Sequence, residues 1–361
     1  MISPIGVFEP LKLGVINKLK RNNQVSSSVS LFATRPDTFE KSSAQKKVDL
    51  PQTDILSLSF TGLKNAEPVR SLGHIICPCC GVEMMTQKDM NDVSRHLGQT
   101  AQQSIKTLNN YEKYMHPVEK ECFENLKTWS EEQPELNFQQ LLEAHKAPEL
   151  EKLQKKQNTI LDKVDELSSN LPQNEQELVK NVTKTTRELV SSTDKQIKFK
   201  RKTFIQNMED LSEKITNKDL HKQMMKEAKT MPTSQNDVSA FVVKYADRKH
   251  NEIGERLVKL SVGTIEHIKP QSEGGRDDVR NYLLECGGCN HNRSSIPLGD
   301  WVDEHPEMIE NTQKYMDKVI EFINNGGMKG FHFYPQAVAN TLFMQSDGKL
   351  DIKVNGLKSE E

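Results

Sequence analysis

Two Cys-x-x-Cys spacings, Cys77–Cys80 and Cys286–Cys289, constrain this chain more than any other feature. Two such pairs supply the four thiolates of a tetrahedral zinc site. The backbone between paired cysteines must curl tightly, and glycines directly after the first pair and inside the second allow it. In a reducing compartment this pattern favours a metal over a disulfide. The sequence therefore predicts a structural zinc site with the ligands Cys77, Cys80, Cys286 and Cys289.

The two pairs lie roughly 200 residues apart, which raises the question of whether they share a metal. Lengthening a flexible loop fivefold costs only about 1.4 kcal/mol of closure entropy. A structural zinc contributes about 10–16 kcal/mol in finger-like peptides, so the separation is a minor objection. The alternative is two independent redox or unpaired-thiol sites, although the βαβ context of thioredoxin-like motifs is missing. Cys79 is an alternative ligand to Cys77 or Cys80, and Cys122 is expected to be packed in helical sequence.

Composition limits the class of protein. The chain has 361 residues, 35% hydrophobic and 28% charged, which suits two or three surface-rich domains. Its formal net charge is −2, so attraction to phosphate must come from local patches. No apolar run approaches the roughly 18–20 residues of a membrane span. Residues 1–35 lack the apolar core of a signal peptide, so we expect an intracellular, cytoplasmic protein, with an organelle-targeting leader left open.

The chain divides into stretches of different character. Residues 1–70 are expected to be a flexible leader, and 71–81 a short strand leading into the first cysteine pair. Residues 82–250 are helical in composition, with prolines near expected turns at Pro117, Pro134, Pro148, Pro172 and Pro232. Residues 301–361 are expected to form a helix, from about Trp301 to Asn325, and a small mixed tail. The fold class is α+β, mostly α, with 71–81 and 251–300 forming a small core split by a long helical insertion.

One apolar stripe in the insertion has the spacing of a coiled coil or helical bundle: Leu150, Leu153, Ile160, Val164 and Leu167. It is too short to fix an oligomeric state. A protein partner or self-association through this region therefore stays open beside the interpretation as bundle core.

The region before the second cysteine pair predicts a β-hairpin. Val262 to Ile268 is rich in β-branched residues and ends at Pro270. The pair Gly274–Gly275 indicates a turn, and Asn281 to Glu285 a returning strand. The cysteine pair follows, with a helix beginning near Asn290. The result is a β-β-α unit clamped by metal at the start of its helix.

Three polar side chains of this unit suit metal-assisted hydrolysis. Glu266 and His267 are adjacent on a strand and should point to opposite faces unless the backbone twists. Asn290 can face the hairpin from the start of the helix. One carboxylate and one amide oxygen form a hard, incomplete shell for Mg²⁺ or Mn²⁺, with room for water and phosphate. A neutral imidazole nearby can take a proton from a water that attacks phosphorus.

This segment resembles the HNH, or ββα-metal, endonuclease family, in its zinc-stapled form. The matching residues are Glu266, His267, Ile268, Pro270, Gly274, Gly275, Asn281, Leu283, Cys286, Cys289, Asn290 and Arg293. The resemblance implies that His267 is the general base and that Asn281 holds the hairpin loop and orients it. It also implies that Glu266 and Asn290 bind the catalytic metal, and that the upstream cysteine pair completes the zinc site. The resemblance covers about thirty residues together with the upstream cysteine pair.

The segment departs from the family pattern at several positions. Glu266 stands where Asp is commoner, Asn290 where His is frequent, and Arg293 where Lys is frequent. Arg293 and Lys269 are expected to contact phosphate. His291 is a rival metal ligand, and His267 has the alternative interpretation of a core histidine bonded to a backbone carbonyl. These departures and the long insertion bear on specificity more than on chemistry.

The sequence therefore predicts a metal-dependent endonuclease with little or no sequence specificity that hydrolyses DNA, with RNA not excluded. Its cofactors would be a structural Zn²⁺ and a catalytic Mg²⁺ or Mn²⁺. Two alternatives stay open. One is an inactive zinc-stabilised HNH fold that binds nucleic acid. The other is a helical scaffold or effector for which the β-β-α unit is a stabilising cap.

Overall fold

The computed structural model of the protein describes residues 66–191 and 199–358. The described chain is mostly helical, with one two-stranded antiparallel sheet, as expected for an α+β protein that is mostly α. The helices before the sheet are α1 (Glu67–Arg70), α2 (Gln87–His96), α3 (Ala101–Leu108), α4 (Pro117–Glu132), α5 (Phe138–Ser168), α6 (Gln173–Val190), α7 (Arg201–Glu209), α8 (Lys218–Lys229), α9 (Val238–Tyr245) and α10 (His250–Lys259). In these described segments, no helix is both long and apolar enough to cross a membrane.

The sheet pairs β1 (Gly263–His267) with β2 (Tyr282–Cys286), and His267 lies opposite Tyr282. Short 3-10 turns at Gln271–Glu273 and Val279–Asn281 lie in the connection between the strands, and a further one spans Asn109–Tyr114. After the sheet come α11 (Gly287–Arg293), α12 (Leu298–Glu304), α13 (Met308–Asn324) and α14 (Tyr334–Gln345). The predicted hairpin is therefore present. Its helix begins at Gly287, three residues earlier than expected.

Within the described residues, the buried apolar side chains form three separate clusters. The first, which we call the split core, uses residues 66–84 together with 268–352. The second, the proximal lobe, uses residues 85–142 and 238–262. The third, the distal lobe, uses residues 160–231. The middle of the chain thus builds two hydrophobic cores of its own between the two halves of the split core.

The insertion leaves the split core and returns to it at the same place. Met85 and Val262 form an isolated parallel bridge. The Met85 N–H donates to the Ser261 carbonyl at 2.9 Å, and the Gly263 N–H donates to the Met85 carbonyl at 2.9 Å. Gly263 is the first residue of β1. This bridge brings the two halves of the split core together although they are far apart in sequence.

Helices α4 and α10 close the proximal lobe beside this bridge. The Arg256 guanidinium on α10 donates to the Glu119 carboxylate on α4 at 2.7 Å, and both side chains are buried. Arg256 also donates to the Tyr245 hydroxyl at 2.8 Å. Burial raises the pKa of Glu119, and the adjacent guanidinium acts in the opposite direction. Removing the cation would therefore leave a buried carboxylate without compensation.

Helix α5 links the two lobes and contains the apolar stripe. Leu153, Ile160 and Val164 are buried, and the C-terminal part of the stripe, Ile160, Val164 and Leu167, packs in the distal lobe. Pro148 was expected near a turn but lies inside α5. A proline there removes one helical hydrogen bond. The helix continues because its start packs in the proximal lobe through Phe138 and its end in the distal lobe.

Three other predicted segments differ from the structure in where they begin or end. Ala66 and Val69 are buried in the split core, so the end of the expected leader belongs to the folded unit; residues 1–65 lie outside the described residues. The strand expected before the first cysteine pair is only an isolated bridge between Ile76 and Glu83. The helix expected from Trp301 is split into α12 and α13, with Pro306 between them, and the tail contains α14.

Candidate metal centre and active site

The four cysteines of the two pairs converge at one point. The Sγ atoms of Cys77, Cys80, Cys286 and Cys289 all lie within 4.8 Å of one another. The Cys80 and Cys286 Sγ atoms are 3.8 Å apart. Four thiolates at about 2.3 Å from a zinc ion have tetrahedral edges of about 3.8 Å. The cluster can therefore hold a metal ion such as zinc, and it joins the two halves of the split core.

The first cysteine pair is shaped by its own turn and by α13. The Gly81 N–H donates to the Cys77 carbonyl at 3.0 Å, and Gly81 has a φ of +74°. On α13, the Asn311 amide donates to the Cys79 carbonyl at 2.8 Å, and the Thr312 hydroxyl donates to the Pro78 carbonyl at 3.0 Å. A Cβ added to Gly81 would lie 2.7 Å from the Asn311 Oδ1 atom. The conformation therefore favours glycine here, and an added Cβ would also force the Asn311 side chain to move.

The second cysteine pair forms the start of α11. Cys286 is the N-cap residue, and its Sγ accepts a hydrogen bond from the Cys289 N–H at 3.4 Å. The N–H groups of Gly287 and Gly288 donate to the carbonyls of Val262 and Leu260, both at 2.9 Å. The first turn of α11 is thus tied to the residues through which the insertion returns. A metal ion held by the four cysteines would therefore stabilise the same junction as these backbone hydrogen bonds.

Two further cysteines lie outside this group of four. Cys79 is buried, and its Sγ lies within 4.8 Å of Cys289 Sγ and a Glu285 carboxylate oxygen. Its position beside the four thiols agrees with the expectation that Cys77 and Cys80, rather than Cys79, complete the site. Cys122 is buried in the proximal lobe among apolar side chains, as expected. Burial raises the pKa of the Cys122 thiol, so it stays protonated and inert.

His267 ends β1 at the mouth of the hairpin. Its Nε2 atom is 2.9 Å from Oδ1 of Asp277, in the loop between the strands. The edge of its ring meets the Tyr282 ring at a centroid distance of 5.0 Å. Because a carboxylate only accepts, the Nε2 atom carries the hydrogen, and Nδ1 is the atom with the lone pair in the neutral form of the ring. The imidazole side chain is 16% exposed, and its described partner is a carboxylate rather than a backbone carbonyl.

Asn281 holds the loop that carries Asp277. Its Oδ1 accepts from the Lys269 N–H at 2.8 Å, and its Nδ2 donates to the carbonyls of Lys269 and Arg276, both at 3.1 Å. The side chain thus ties the two ends of the loop together, which is the role that the resemblance implies. No hydrogen bond joins Asn281 to the His267 ring among the described contacts. Any orienting effect on His267 therefore passes through the loop.

Glu266 directly precedes His267 on β1. It is buried and forms an ion pair with Arg293, which also donates to the carbonyls of His267 at 3.0 Å and Ile268 at 2.7 Å. Burial raises the pKa of Glu266 to about 7, although the guanidinium acts in the opposite direction. Arg293 contacts Oε1, which leaves Oε2 as the Glu266 oxygen for a cation. Arg293 is 1% exposed, so its position is that of a structural cation and not of the expected phosphate ligand.

Asn290 contacts β1 from α11. Its Nδ2 donates to the Thr264 hydroxyl and the Ile265 carbonyl, both at 3.1 Å, so Oδ1 is the atom left for a cation. The donors available to Mg²⁺ or Mn²⁺ are therefore hard oxygens, as that chemistry requires, but Glu266 is shared with Arg293. His291 is exposed on α11 and outside the two groups of potential metal ligands found in the described chain. Lys269 is half-buried at the start of the loop.

Sequence reasoning missed the carboxylate beside His267. The hydrogen bond from His267 lowers the pKa of Asp277, and a hydrogen bond from Gln271 at 2.7 Å acts in the same direction. Asp277 is therefore ionised and held in place near neutral pH. Its position two residues after the Gly-Gly turn, in the loop that the hairpin must close, is the one signal in the sequence that could have identified it.

Neither protein-family models nor curated proteins nor solved structures gave a match to this chain.

Proposed function

We propose that this protein is a metal-dependent endonuclease of the HNH type that hydrolyses phosphodiester bonds in DNA. The observation that carries the proposal is the hydrogen bond between His267 and Asp277, at the mouth of a hairpin whose loop is tied by Asn281. A histidine held in this way at a four-cysteine junction has the features expected of a positioned general base. The family resemblance of the segment supports the same chemistry.

His267 would act through its Nδ1 atom. With Nε2–H donated to Asp277, the Nδ1 lone pair can take a proton from a water molecule that attacks phosphorus. The new bond to phosphorus forms as the bond to the leaving sugar oxygen breaks. Asp277 stabilises the positive charge that His267 acquires, because its carboxylate is 2.9 Å from Nε2.

A divalent cation would be held by Glu266 and Asn290. Bound there, Mg²⁺ or Mn²⁺ would stabilise charge on the phosphoryl oxygens and the leaving group. The Arg293 guanidinium keeps Glu266 on the core side of β1 and caps two carbonyls at the end of that strand. In this proposal Arg293 positions the Glu266 carboxylate, and Lys269 remains the candidate residue for contact with the phosphate of the substrate.

The test is nicking of plasmid DNA by the zinc-loaded protein with Mg²⁺ or Mn²⁺. We expect His267→Ala to reduce the rate by about 10²–10⁴-fold, the usual contribution of a general base. His96→Ala is the matched control, because this exposed histidine at the end of α2 lies outside the hairpin and α11 and should leave the rate unchanged. Equal nicking by His267→Ala and wild type, or none by a folded, zinc-loaded wild type, contradicts the proposal.

A zinc-stabilised module that binds nucleic acid without cutting it is the second candidate. The Glu266–Arg293 ion pair favours it, since a cation must share the carboxylate with a buried guanidinium. Calorimetric titration with Mn²⁺ separates the two candidates. A nuclease should bind Mn²⁺ in a manner abolished by Glu266→Gln and retained by Glu273→Gln, an exposed acid in the loop. DNA binding without any Mn²⁺ binding would favour the module.

A further inference from the structure

Phe333 is a large exposed aromatic residue that stands beside a cation. It is the residue before α14 and is 45% exposed. The Arg280 guanidinium lies 5.7 Å from the centre of its ring, within the range of a cation–π contact. The Phe331 ring is 5.8 Å away and tilted by 41°. Single exposed apolar side chains are common on protein surfaces. Phe333 differs from them because a guanidinium and a second aromatic ring pack beside it.

This surface is fixed to the hairpin that carries His267. Arg280 lies in the 3-10 turn just before β2, next to Asn281. Tyr334, the neighbour of Phe333, donates its hydroxyl hydrogen to the Tyr282 carbonyl at 3.0 Å, and Tyr282 lies opposite His267 in the sheet. The ring is therefore held beside the loop of the candidate active site, and it does not depend on a mobile segment.

The charges around the ring suit a polyanion. The Arg280 side chain is 66% exposed and its Nε atom is 3.6 Å from Asp278, a loose and exposed ion pair that a phosphate can replace. Lys329 is exposed in the same connection between α13 and α14, and Arg276 is exposed in the hairpin loop. Asp278 is the acidic group that faces Arg280. Arg280 thus places an exposed positive charge beside the aromatic surface, although the whole chain has a net charge of −2.

We propose that Phe333 and Arg280 form a stacking platform for an unpaired base of the DNA substrate, with Arg280 pairing with an adjoining phosphate. An aromatic face accepts any base, and a guanidinium beside it adds both stacking and charge. The partner class is therefore single-stranded or locally unpaired DNA. This inference rests on the proposed function, because it places the platform beside the hydrolytic site, but base stacking itself needs no cleavage.

The test is the fluorescence anisotropy of a labelled oligo-dT and of a duplex of equal length, with zinc-loaded protein, Ca²⁺ in place of Mg²⁺ and fixed salt. We expect Phe333→Ala to weaken oligo-dT binding by about 5- to 150-fold, the effect of losing one stacked base, and duplex binding much less. Phe333→Trp should restore binding. Arg280→Gln should weaken both complexes and lower the dependence on salt concentration by about one phosphate contact.

Phe343→Ala is the matched control. Phe343 is 48% exposed and lies near the other end of α14, about 15 Å along the helix from Phe333. Equal binding by Phe333→Ala and Phe343→Ala, or equal weakening of oligo-dT and duplex by Phe333→Ala, overturns the platform. A wild type that binds neither DNA also overturns it and points to a protein as the occupant.

The binding and nicking assays test the stacking platform and the nuclease separately. Binding of oligo-dT that depends on Phe333, in a protein that never nicks plasmid, would overturn the nuclease and leave the platform standing. Nicking that depends on His267, with oligo-dT binding indifferent to Phe333, would do the reverse.

Discussion

At the scale of single residues, the contact between Asp277 and His267 determines what the candidate site can do. An imidazole has two nitrogens, and the partner of one decides whether the other can accept a proton. Here the carboxylate binds Nε2 at 2.9 Å, and Gln271 holds the same carboxylate oxygen from the other side. The proposed general base is thus oriented by side chains of its own loop.

Asp277→Asn tests this orientation. An asparagine keeps the size of the side chain but removes the charge and can donate to Nε2, which would place the hydrogen on Nδ1. We expect plasmid nicking to slow by about 10–100-fold, the range seen when partners that orient functional histidines are changed. Asp278→Asn removes the same charge from the next residue, which contacts Arg280 and not His267, and should leave the turnover rate unchanged. Equal rates for the two variants would remove Asp277 from the mechanism.

The roles of Arg293 and Asp277 could not be predicted from the sequence. Arg293 was expected to meet phosphate, yet it is buried against Glu266 and two carbonyls. The pattern places a basic residue on α11, but a seven-residue helix does not reveal which of its faces meets the core. Asp277 was missed because its partner lies ten residues earlier, across a loop whose path the sequence does not specify.

At the scale of elements, α13 shapes the first cysteine pair from more than two hundred residues away. Its Asn311 and Thr312 side chains bind the carbonyls of Cys79 and Pro78. The helix thereby holds the turn in the conformation that directs its thiols toward the second pair. Such a brace would add to what a bound ion supplies, because these hydrogen bonds order one of the two cysteine pairs without any metal.

Gly81→Ala should weaken this brace and the retention of zinc. An alanine would have to adopt the left-handed conformation, at about 1–2 kcal/mol, and would displace Asn311 from Cys79. Gly356→Ala is the matched control, with a φ of +76° but nothing within 4 Å of the added Cβ. We expect Gly81→Ala to lose zinc faster to a chromogenic chelator than Gly356→Ala does. Identical kinetics would show that the contact with Asn311 is unimportant.

The elements were predictable where local chemistry determines them and unpredictable where packing does. The hairpin was predicted from the β-branched run at Val262–Ile268, the Gly274–Gly275 turn and the returning segment Asn281–Glu285. The paired cysteines indicated which distant segments meet. Pro148 gave a false signal of a turn, because both ends of α5 are fixed by different cores. The break at Pro306 was overlooked for the opposite reason, since residues on both sides of it have helical composition.

At the scale of the whole molecule, the insertion consists of two lobes that differ in their relation to the candidate site. The proximal lobe contacts the metal junction directly, through the Met85–Val262 bridge and the bonds from Gly287 and Gly288. The distal lobe has a core of its own, and the ion pair that it makes with α12, between Lys229 and Glu304, is exposed. Exposed pairs contribute only about 0–1 kcal/mol. We therefore expect the proximal lobe, rather than the distal lobe, to support the candidate site.

Removing the distal lobe should consequently spare the proposed chemistry. Residues 157–236 can be replaced by a short flexible linker, because Lys156 on α5 and Asp237 at the start of α9 already form an ion pair. We expect this variant to keep about one zinc per chain and to nick plasmid at close to the rate of the full chain. Metal analysis and the nicking assay measure both. If nicking persists while a binding partner is lost, the distal lobe is the scaffold and the split core the enzyme.

The matched comparison is a single change in the proximal lobe. Arg256→Met leaves the buried Glu119 carboxylate uncompensated, which should lower the free energy of unfolding by about 3–5 kcal/mol. Because α10 leads directly into β1, we expect this one substitution to impair zinc retention and nicking more than excision of the whole distal lobe. The opposite ranking would mean that the distal lobe supports the metal junction. The long helical region would then be one cooperative unit with the site, and the division into lobes would have no functional meaning.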